Sequence, residues 1–526
     1  MSAALRNSWR PRSWAILVAS LSLAASVSFV RFGLRASEPE SGWSRLLSNR
    51  NSADPTRQRP KIISAKGQFL AADPTGKFLM DTITNKPVFI TGDAPQQLVT
   101  ELCASDVDTY LKDRQQRGFN ALWVYVVDNA DQSNPPRNCN GDIPFNGADF
   151  TNFNPSYWKF VDSAIANAQR RGIIVFIEPG FVGLVAASGY LTSYQNASPE
   201  TMTAYGTFLG NRYKGFSNVA WALGGDADPA QAAAYKNLAS LAAAIQAADP
   251  NHLITFEACR SGCSSGGNKS SLDAWTGPPA WLGINWVYNN QATVIEGCRA
   301  AWNNGNRVLP SIMGEDWYEL DHSMTSSQIR QEGYWEILSG CYAGRIFGNA
   351  ALFAFNSPNS GVTSPTWQSQ LGSVGSIGQA NMGKLFRSRE HWKLAPDTNH
   401  TTLTAGYDSH TFFGSAKESL RSFVYKQPAR PGTMDSVAAR TSDGQTIIAY
   451  VPNGTATTVT VDMSKITDPV SLARCWWFNP RDGSTILIGS FATNSTRNFS
   501  PPDKSDWVLV IDSERASLAA PGSRDL

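Results

Sequence analysis

NVAWALGGDAD, residues 218–228, is the stretch that decides the fold. Five mostly apolar residues run into two glycines and then a carboxylate. Such a run suits a strand buried on both faces. The glycine pair suits a turn where backbone passes close to something else. A carboxylate just past a buried strand is held by a rigid element yet reaches solvent. Asp226 has two readings here: an N-cap for a following helix at Pro229–Ala248, or a group at the chemically active end of a parallel α/β barrel.

Working outward, apolar runs alternate with amphipathic helical patterns from residue 87 to about 390. The strands read as Pro87–Asp93, Asn120–Val127, Ile173–Pro179, Asn218–Asp226, Leu253–Ala258, Trp281–Tyr288, Val308–Glu315 and Ala350–Asn356. Helices read as Asp106–Arg117, Pro155–Arg171, Pro199–Tyr213, Pro229–Ala248, Thr325–Cys341 and Trp367–Phe386. Proline or a small polar residue opens several of them, and Arg117-Gly118 and Arg171-Gly172 read as stops. Eight strands with intervening helices predict a (β/α)8 TIM barrel over residues 61–400. No GxGxxG follows the first strand, which argues against a doubly wound dinucleotide fold. Beyond residue 400 the strands are short and alternating, at Leu420–Tyr425, Thr446–Val451, Thr457–Met463, Leu472–Phe478 and Trp507–Ile511. They predict a small antiparallel β-sandwich over 406–515 with a tail at 516–526.

The N-terminus carries Arg6, Arg10 and Arg12 ahead of the apolar run Trp14–Val30. That order predicts a signal peptide or signal anchor over 1–36, followed by a polar linker at 37–60. The rest is then secreted and extracellular, or lumenal and tethered to a membrane through Trp14–Val30. Seven cysteines are present (Cys103, Cys139, Cys259, Cys263, Cys298, Cys341, Cys475), so disulfides are expected with at least one thiol left over. Sequons at Asn196, Asn268, Asn399, Asn453, Asn494 and Asn498 agree with a glycoprotein. A net charge of +2 gives no electrostatic case for nucleic acid. The 17 tryptophans suit either a large core or a sugar-stacking cleft.

In a barrel, function lies at the C-terminal strand ends. Those positions are Asp93, Tyr125, Glu178, Asp226, Glu257, Asn285, Tyr288, Glu315 and Asn356. Five histidines, with no HxH pair, disfavour a metal hydrolase, and no GxSxG elbow is present. No metal and no cofactor are called for. Two carboxylates without a metal point to glycoside cleavage, one protonated to release the leaving oxygen and one ionised to attack. Strands four and seven face each other across the mouth, so Asp226 is assigned as general acid/base and Glu315 as nucleophile. Asp93, Tyr125, Glu257, Asn285, Tyr288, Trp317 and Tyr318 are assigned as substrate contacts for an oligo- or polysaccharide.

The blocks FITGDAP (89–95), YLKDRQQRGFNAL (110–122), LGNRYKGFSNVAWALGGD (209–226), MGEDWYE (313–319) and HWKLAPD (391–397) resemble the apiosidase-like family of glycoside hydrolases. The resemblance implies Asp226 as acid/base, Glu315 as nucleophile and Asp93 as a sugar contact. RCWWFNPRDGS (474–484) resembles the collagen-binding-type β domain that follows such barrels. The chain departs from the family pattern at Phe256-Glu257, where an aromatic-histidine pair is usual, and at Phe181, where tryptophan is common. Apiose removal from pectin is one substrate among those implied. Two other expectations stand beside the hydrolase. One is a non-catalytic carbohydrate-binding or wall-associated protein on the same fold. The other is a matrix adhesin acting through residues 406–515, testable with that segment alone.

Overall fold

A computed structural model describes residues 70–185, 189–260, 270–289, 294–305, 307–321, 323–407, 436–453 and 458–526. Trp14–Val30, the linker 37–60, Cys263, Asn268 and the run Leu420–Tyr425 lie outside the described residues. No helix among the described residues is long and apolar enough to cross a membrane.

The barrel strands are β1 (Ile90–Asp93), β2 (Ala121–Tyr125), β3 (Ile174–Glu178), β4 (Val219–Ala227), β5 (Ile254–Ala258), β6 (Asn285–Tyr288), β7 (Ser311–Glu315) and β8 (Gly344–Phe347). All neighbours pair parallel in the order β5-β4-β3-β2-β1-β8-β7-β6. The seam between β5 and β6 is closed at its lower end by the Ile254–Leu282 bridge and by the Thr255 hydroxyl donating to the Ile284 carbonyl at 2.9 Å. Higher up, Ser271 wedges in. Its hydroxyl donates to the Phe256 carbonyl at 2.6 Å and accepts from the Trp286 N–H at 2.8 Å.

Strand side chains alternate between two apolar layers. Ile90, Ala121, Trp123, Ile174, Phe176, Ala220, Ala222, Trp286, Ile312 and Ile346 fill the barrel interior. Leu122, Val124, Val175, Ile177, Trp221, Leu223 and Phe256 face the helices. This double burial explains the unbroken apolar runs in the sequence.

The surrounding helices include α1 (Ala104–Arg117), α2 (Pro155–Arg170), α3 (Pro199–Tyr213), α4 (Ala232–Ala248), α5 (Val294–Trp302), α6 (Ser326–Ser339) and α7 (Val374–Arg387). Asn154 and Ser198 cap α2 and α3 with proline at the first turn, and Thr325 and Gln328 form a capping box on α6.

Three expectations are corrected. The eighth strand is Gly344–Phe347, not Ala350–Asn356. Residues 350–355 form turns, and the Asn356 amide ties down its own loop through Val362, Pro365 and Trp367. Helix α4 starts at Ala232, with Gln231 at its N-cap, so Asp226 caps nothing. The pattern at Trp367–Phe386 is two helices, Trp367–Gln370 and α7, the second restarted by a Ser373 cap.

The C-terminal region forms a sandwich of two antiparallel sheets. The larger has the order β9 (Leu394–Pro396), β11 (Val437–Thr441), β12 (Thr446–Val451), β17 (Trp507–Ser513), β14 (Leu472–Phe478) and β15 (Thr485–Ala492). The smaller joins β10 (Leu403–Ala405), β13 (Val459–Asp462) and β16 (Thr496–Phe499). The expected boundary at 406 is therefore too late, because β9 and β10 already belong to these sheets. The outer face of the larger sheet packs Val437, Ile448, Tyr450, Val508 and Val510 onto Tyr334, Leu338, Leu385 and Phe386 of α6 and α7. Tyr334 and Tyr450 stack at 4.8 Å. Two buried bidentate pairs cross the same interface, Arg330–Asp506 and Arg389–Asp512.

Disulfides join Cys103 to Cys139 and Cys298 to Cys341, Cys259 is also disulfide-bonded, and Cys475 is free and buried.

Candidate active site

Four carboxylates meet at the C-terminal mouth: Glu178 from β3, Asp226 from β4, Glu257 from β5 and Glu315 from β7. Each of Glu178, Glu257 and Glu315 feels the charge of others in the group. Glu178 and Glu257 are fully buried, whereas Asp226 and Glu315 are half-buried. That difference separates groups that can meet a ligand from groups that support them.

Asp226 owes its place to the glycines before it. Gly224, Gly225 and Asp226 all take positive φ (110°, 67° and 53°), and the β4–β5 register shifts between Leu223 and Ala227. This bulge carries the strand end toward the barrel axis. A side chain at Gly224 would strike the Glu257 carbonyl. One at Gly225 would strike the Phe181 ring and come within 2.6 Å of Glu178 Oε1. Gly225→Ala is therefore expected to lower kcat/KM about a hundredfold, through misplacement of Asp226. Steady-state kinetics beside a circular dichroism spectrum would check this, and a fully active variant would overturn it.

Glu315 depends on a second irregularity. Along β7, Ile312 faces inward, and the register shifts between Met313 and Glu315. Glu315 thereby joins the inner set. Gly314 lacks the side chain that would collide with Trp286, which crosses the barrel and packs edge-on to Trp123 at 5.1 Å.

The carboxylates are individually tethered. Trp123 Nε1 donates to Glu178 Oε2 at 2.9 Å. Trp286 Nε1 donates to Glu257 Oε1 at 3.2 Å, and the Asp226 backbone N–H donates to Glu257 Oε2 at 3.3 Å. The Tyr318 hydroxyl donates to Glu315 and accepts from Gln96 Nε2 at 2.9 Å. The Tyr288 hydroxyl bonds Asp226. Tyr125 stacks on Phe181 at 5.2 Å beside Glu178.

Burial, opposed by Arg260 and the Tyr288 hydrogen bond, raises the Asp226 pKa. Burial and the Asp226 charge push Glu315 up to about 7, against hydrogen bonds from Glu257 and Tyr318. Burial and the neighbouring acids hold Glu178 and Glu257 well above the ordinary carboxylate range.

These raised values fix the sign of a stability prediction. A carboxyl that holds its proton more tightly folded than unfolded contributes fully below the unfolded pKa and loses that contribution as pH rises through the folded value. For Glu315 the window runs from 4.5 to about 7. Surface acids with lowered pKa values, such as Asp468 and Glu514, complete their gain below that window. Asp131, also pushed up to about 7 by burial, acts in the same sense, whereas buried His391, lowered to about 4, adds stability as pH rises to its unfolded value of 6.5. Tm is therefore expected to fall between pH 6.5 and 7.5, and calorimetry showing a rise there would contradict this.

Of the assigned residues, the structure brings together Asp226, Glu315, Tyr125, Glu257, Tyr288 and Tyr318. It does not bring Asp93, Asn285 or Trp317 with them. Ile90 points inward on β1, so Asp93 faces the helix layer, where it is fully buried against Arg114 Nε at 3.1 Å and the Tyr110 hydroxyl. Asn285 alternates with the inward Trp286 and ties Leu272 to Ser311. Trp317 packs behind the strands against Met324, Ile329 and Phe347. Arg260, over the Tyr288 ring at 5.7 Å, was not singled out from the sequence. Its position two residues past β5 is the signal that could have found it. Glu178, a strand-end carboxylate in the sequence, is fully buried, which places it among the supports. No group of acidic, cysteine or histidine residues among the described residues is arranged to hold a metal ion.

The family model described as "Apiosidase-like, catalytic domain" matches residues 73–393. A second, described as a collagen-binding domain of a collagenase, matches residues 422–512. A solved structure named "Glycoside hydrolase" is 20% identical, with 85% of this chain and 98% of that chain covered at a TM-score of 0.69. A glycoside hydrolase family 5 protein from Bacteroides vulgatus is also 20% identical, with 86% and 95% covered and a TM-score of 0.69. No curated protein matches the chain.

Proposed function

The chain belongs to the apiosidase-like family of glycoside hydrolases, and on that premise we propose that it is a secreted, retaining enzyme acting on plant-type or cell-wall polysaccharide. In this reading the Asp226 carboxyl gives its proton to the glycosidic oxygen while the Glu315 carboxylate attacks the anomeric carbon. The bond to the leaving oxygen breaks, its electron pair takes the Asp226 proton, and the sugar is left as an ester of Glu315. Asp226, now ionised, removes a proton from water, and the resulting attack frees the sugar and restores the Glu315 carboxylate.

The observation that carries this reading is the split within the carboxylate group: Asp226 and Glu315 alone among the four reach solvent. Burial raises the Asp226 pKa, the direction an acid needs. Hydrogen bonds from Glu257 and Tyr318, with Arg260, draw Glu315 toward the ionised form a nucleophile needs, against the burial and the Asp226 charge that push it up to about 7. Phe181, partly exposed and stacked on the buried Tyr125, supplies ring surface beside the acids. The two disulfides on the barrel, Cys103–Cys139 and Cys298–Cys341, suit an oxidising compartment and support export by the N-terminal basic and apolar segment.

The test is product stereochemistry. Residues 61–526 would be screened on aryl glycosides and pectic oligosaccharides, and the first anomer released from a cleaved substrate read by proton NMR. The retained anomer is expected. The inverted anomer would overturn the retaining mechanism, and no cleavage of any pectic oligosaccharide would overturn the substrate class.

A further inference from the structure

Glu257 is held unlike a sugar contact. It is fully buried, and both of its oxygens are already engaged: Oε1 by Trp286 Nε1 at 3.2 Å and Oε2 by the Asp226 N–H at 3.3 Å. Its carboxyl also hydrogen-bonds the Glu315 carboxyl. Two carboxyl groups can bond each other only when one keeps a proton to donate. Full burial and the neighbouring acids favour the neutral form at Glu257, and the bonds from Glu257 and Tyr318 favour the charged form at Glu315 against its own burial.

We propose that Glu257 is a positioning residue, a neutral carboxyl whose O–H donates to the Glu315 carboxylate and holds it ionised and aimed into the mouth. The assignment rests on the reading of Glu315 as nucleophile. The same side chain receives the backbone N–H of Asp226, so one buried group fixes the relative placement of both reacting carboxyls. The Trp286 contact and the Ser271 wedge between β5 and β6 hold Glu257 from behind.

The charged and titratable surroundings agree with a retained proton. Glu178 on β3 and Asp226 on β4 are acids, and both oppose a charge on Glu257, as Glu315 does. Tyr125 on β2, Tyr288 on β6 and Tyr318 past β7 have phenol pKa values raised further by burial and stay neutral. Arg260 supplies positive charge, acting on Asp226 and Glu315.

The test compares Glu257→Gln and Glu257→Leu with the wild-type chain in kcat/KM against pH, using an activated aryl glycoside that needs little acid assistance. Glutamine keeps an N–H donor toward Glu315 and one oxygen acceptor, while its amide nitrogen cannot accept the second N–H that Glu257 receives from Trp286 or Asp226. A lower rate is therefore expected, with the acidic limb unmoved. Leucine removes the donor, so Glu315 binds its proton more tightly. The acidic limb is expected to move up by roughly one to two pH units, the size of one lost hydrogen bond to a charged group. A purely packing role would lower the rate without moving the limb. An unmoved limb in Glu257→Leu, or a limb in Glu257→Gln moved as far as is expected of Glu257→Leu, would overturn the proposal. If Glu257→Leu does not fold, the Gln variant alone decides. Glu315→Ala run beside them separates the two readings. If it keeps activity, the nucleophile assignment fails. If it is inactive while the Leu limb stays in place, only the role of Glu257 fails.

Discussion

Glu315→Ala is expected to lower kcat by about five orders of magnitude, and Asp226→Ala by roughly a thousandfold on substrates with poor leaving groups. The difference follows from the chemistry. Removing the nucleophile abolishes the bond that defines the intermediate, whereas removing the acid/base leaves a slower uncatalysed proton transfer. Leaving-group dependence separates the two. An activated aryl glycoside needs little protonation, so Asp226→Ala should form its glycosyl-enzyme readily and stall at hydrolysis. Added azide should then restore turnover, giving a glycosyl azide of retained configuration. With Glu315→Ala, azide can enter the vacated space and attack directly, giving the inverted azide. Both side chains are half-buried, and their partners keep other contacts, Tyr318 with Gln96, Glu257 with Trp286 and Tyr288 with Arg260, so the variants should fold. Wild-type rates in either would remove that residue from the mechanism.

The second large effect concerns stability. Asp506→Ala is expected to destabilise the protein by about 3–5 kcal/mol, because Arg330 would remain buried without its bidentate partner. Cutting the chain after Lys393 should be worse still. It would expose the apolar face of α6 and α7 carrying Tyr334, Leu338, Leu385 and Phe386. A segment beginning at residue 406 lacks β9 and β10, so it is not expected to fold and cannot by itself test matrix binding. Scanning calorimetry of residues 61–526 should show a single transition. Two separate transitions, or a soluble active barrel ending at residue 393, would overturn the shared-core account.

Seven of the eight barrel strands were legible because each is an apolar run buried on both faces. The eighth was not. Gly344–Phe347 is only four residues long and carries Arg345, which reads as exposed but is buried against Asp316 and Glu336. The more apolar run after it, Ala350–Asn356, reads as the strand instead. Among site residues, being at a strand end was visible and facing inward was not. Asp93 and Asn285 lie at the right height and on the wrong face. Glu315 reaches the inner face through a register shift that no residue pattern announces. The glycines of GGD did advertise the bulge at Asp226, because close backbone approach leaves a compositional trace. The domain boundary was missed because two strands of the sandwich are only three residues long.

That bulge bears on how this active site can change over evolutionary time. Asp226 sits at φ +53°, a conformation aspartate tolerates better than most residues because its short side chain bonds locally. Glutamate could perform the same proton transfer, and a single-nucleotide change often interconverts the two. Yet a longer side chain on the already advanced backbone would overshoot toward Tyr288 and Glu257. The acid's identity is thus locked to the two glycines before it. Exchange for glutamate would require the loop to straighten in the same lineage, so descendants that keep Gly224-Gly225 should keep aspartate as well.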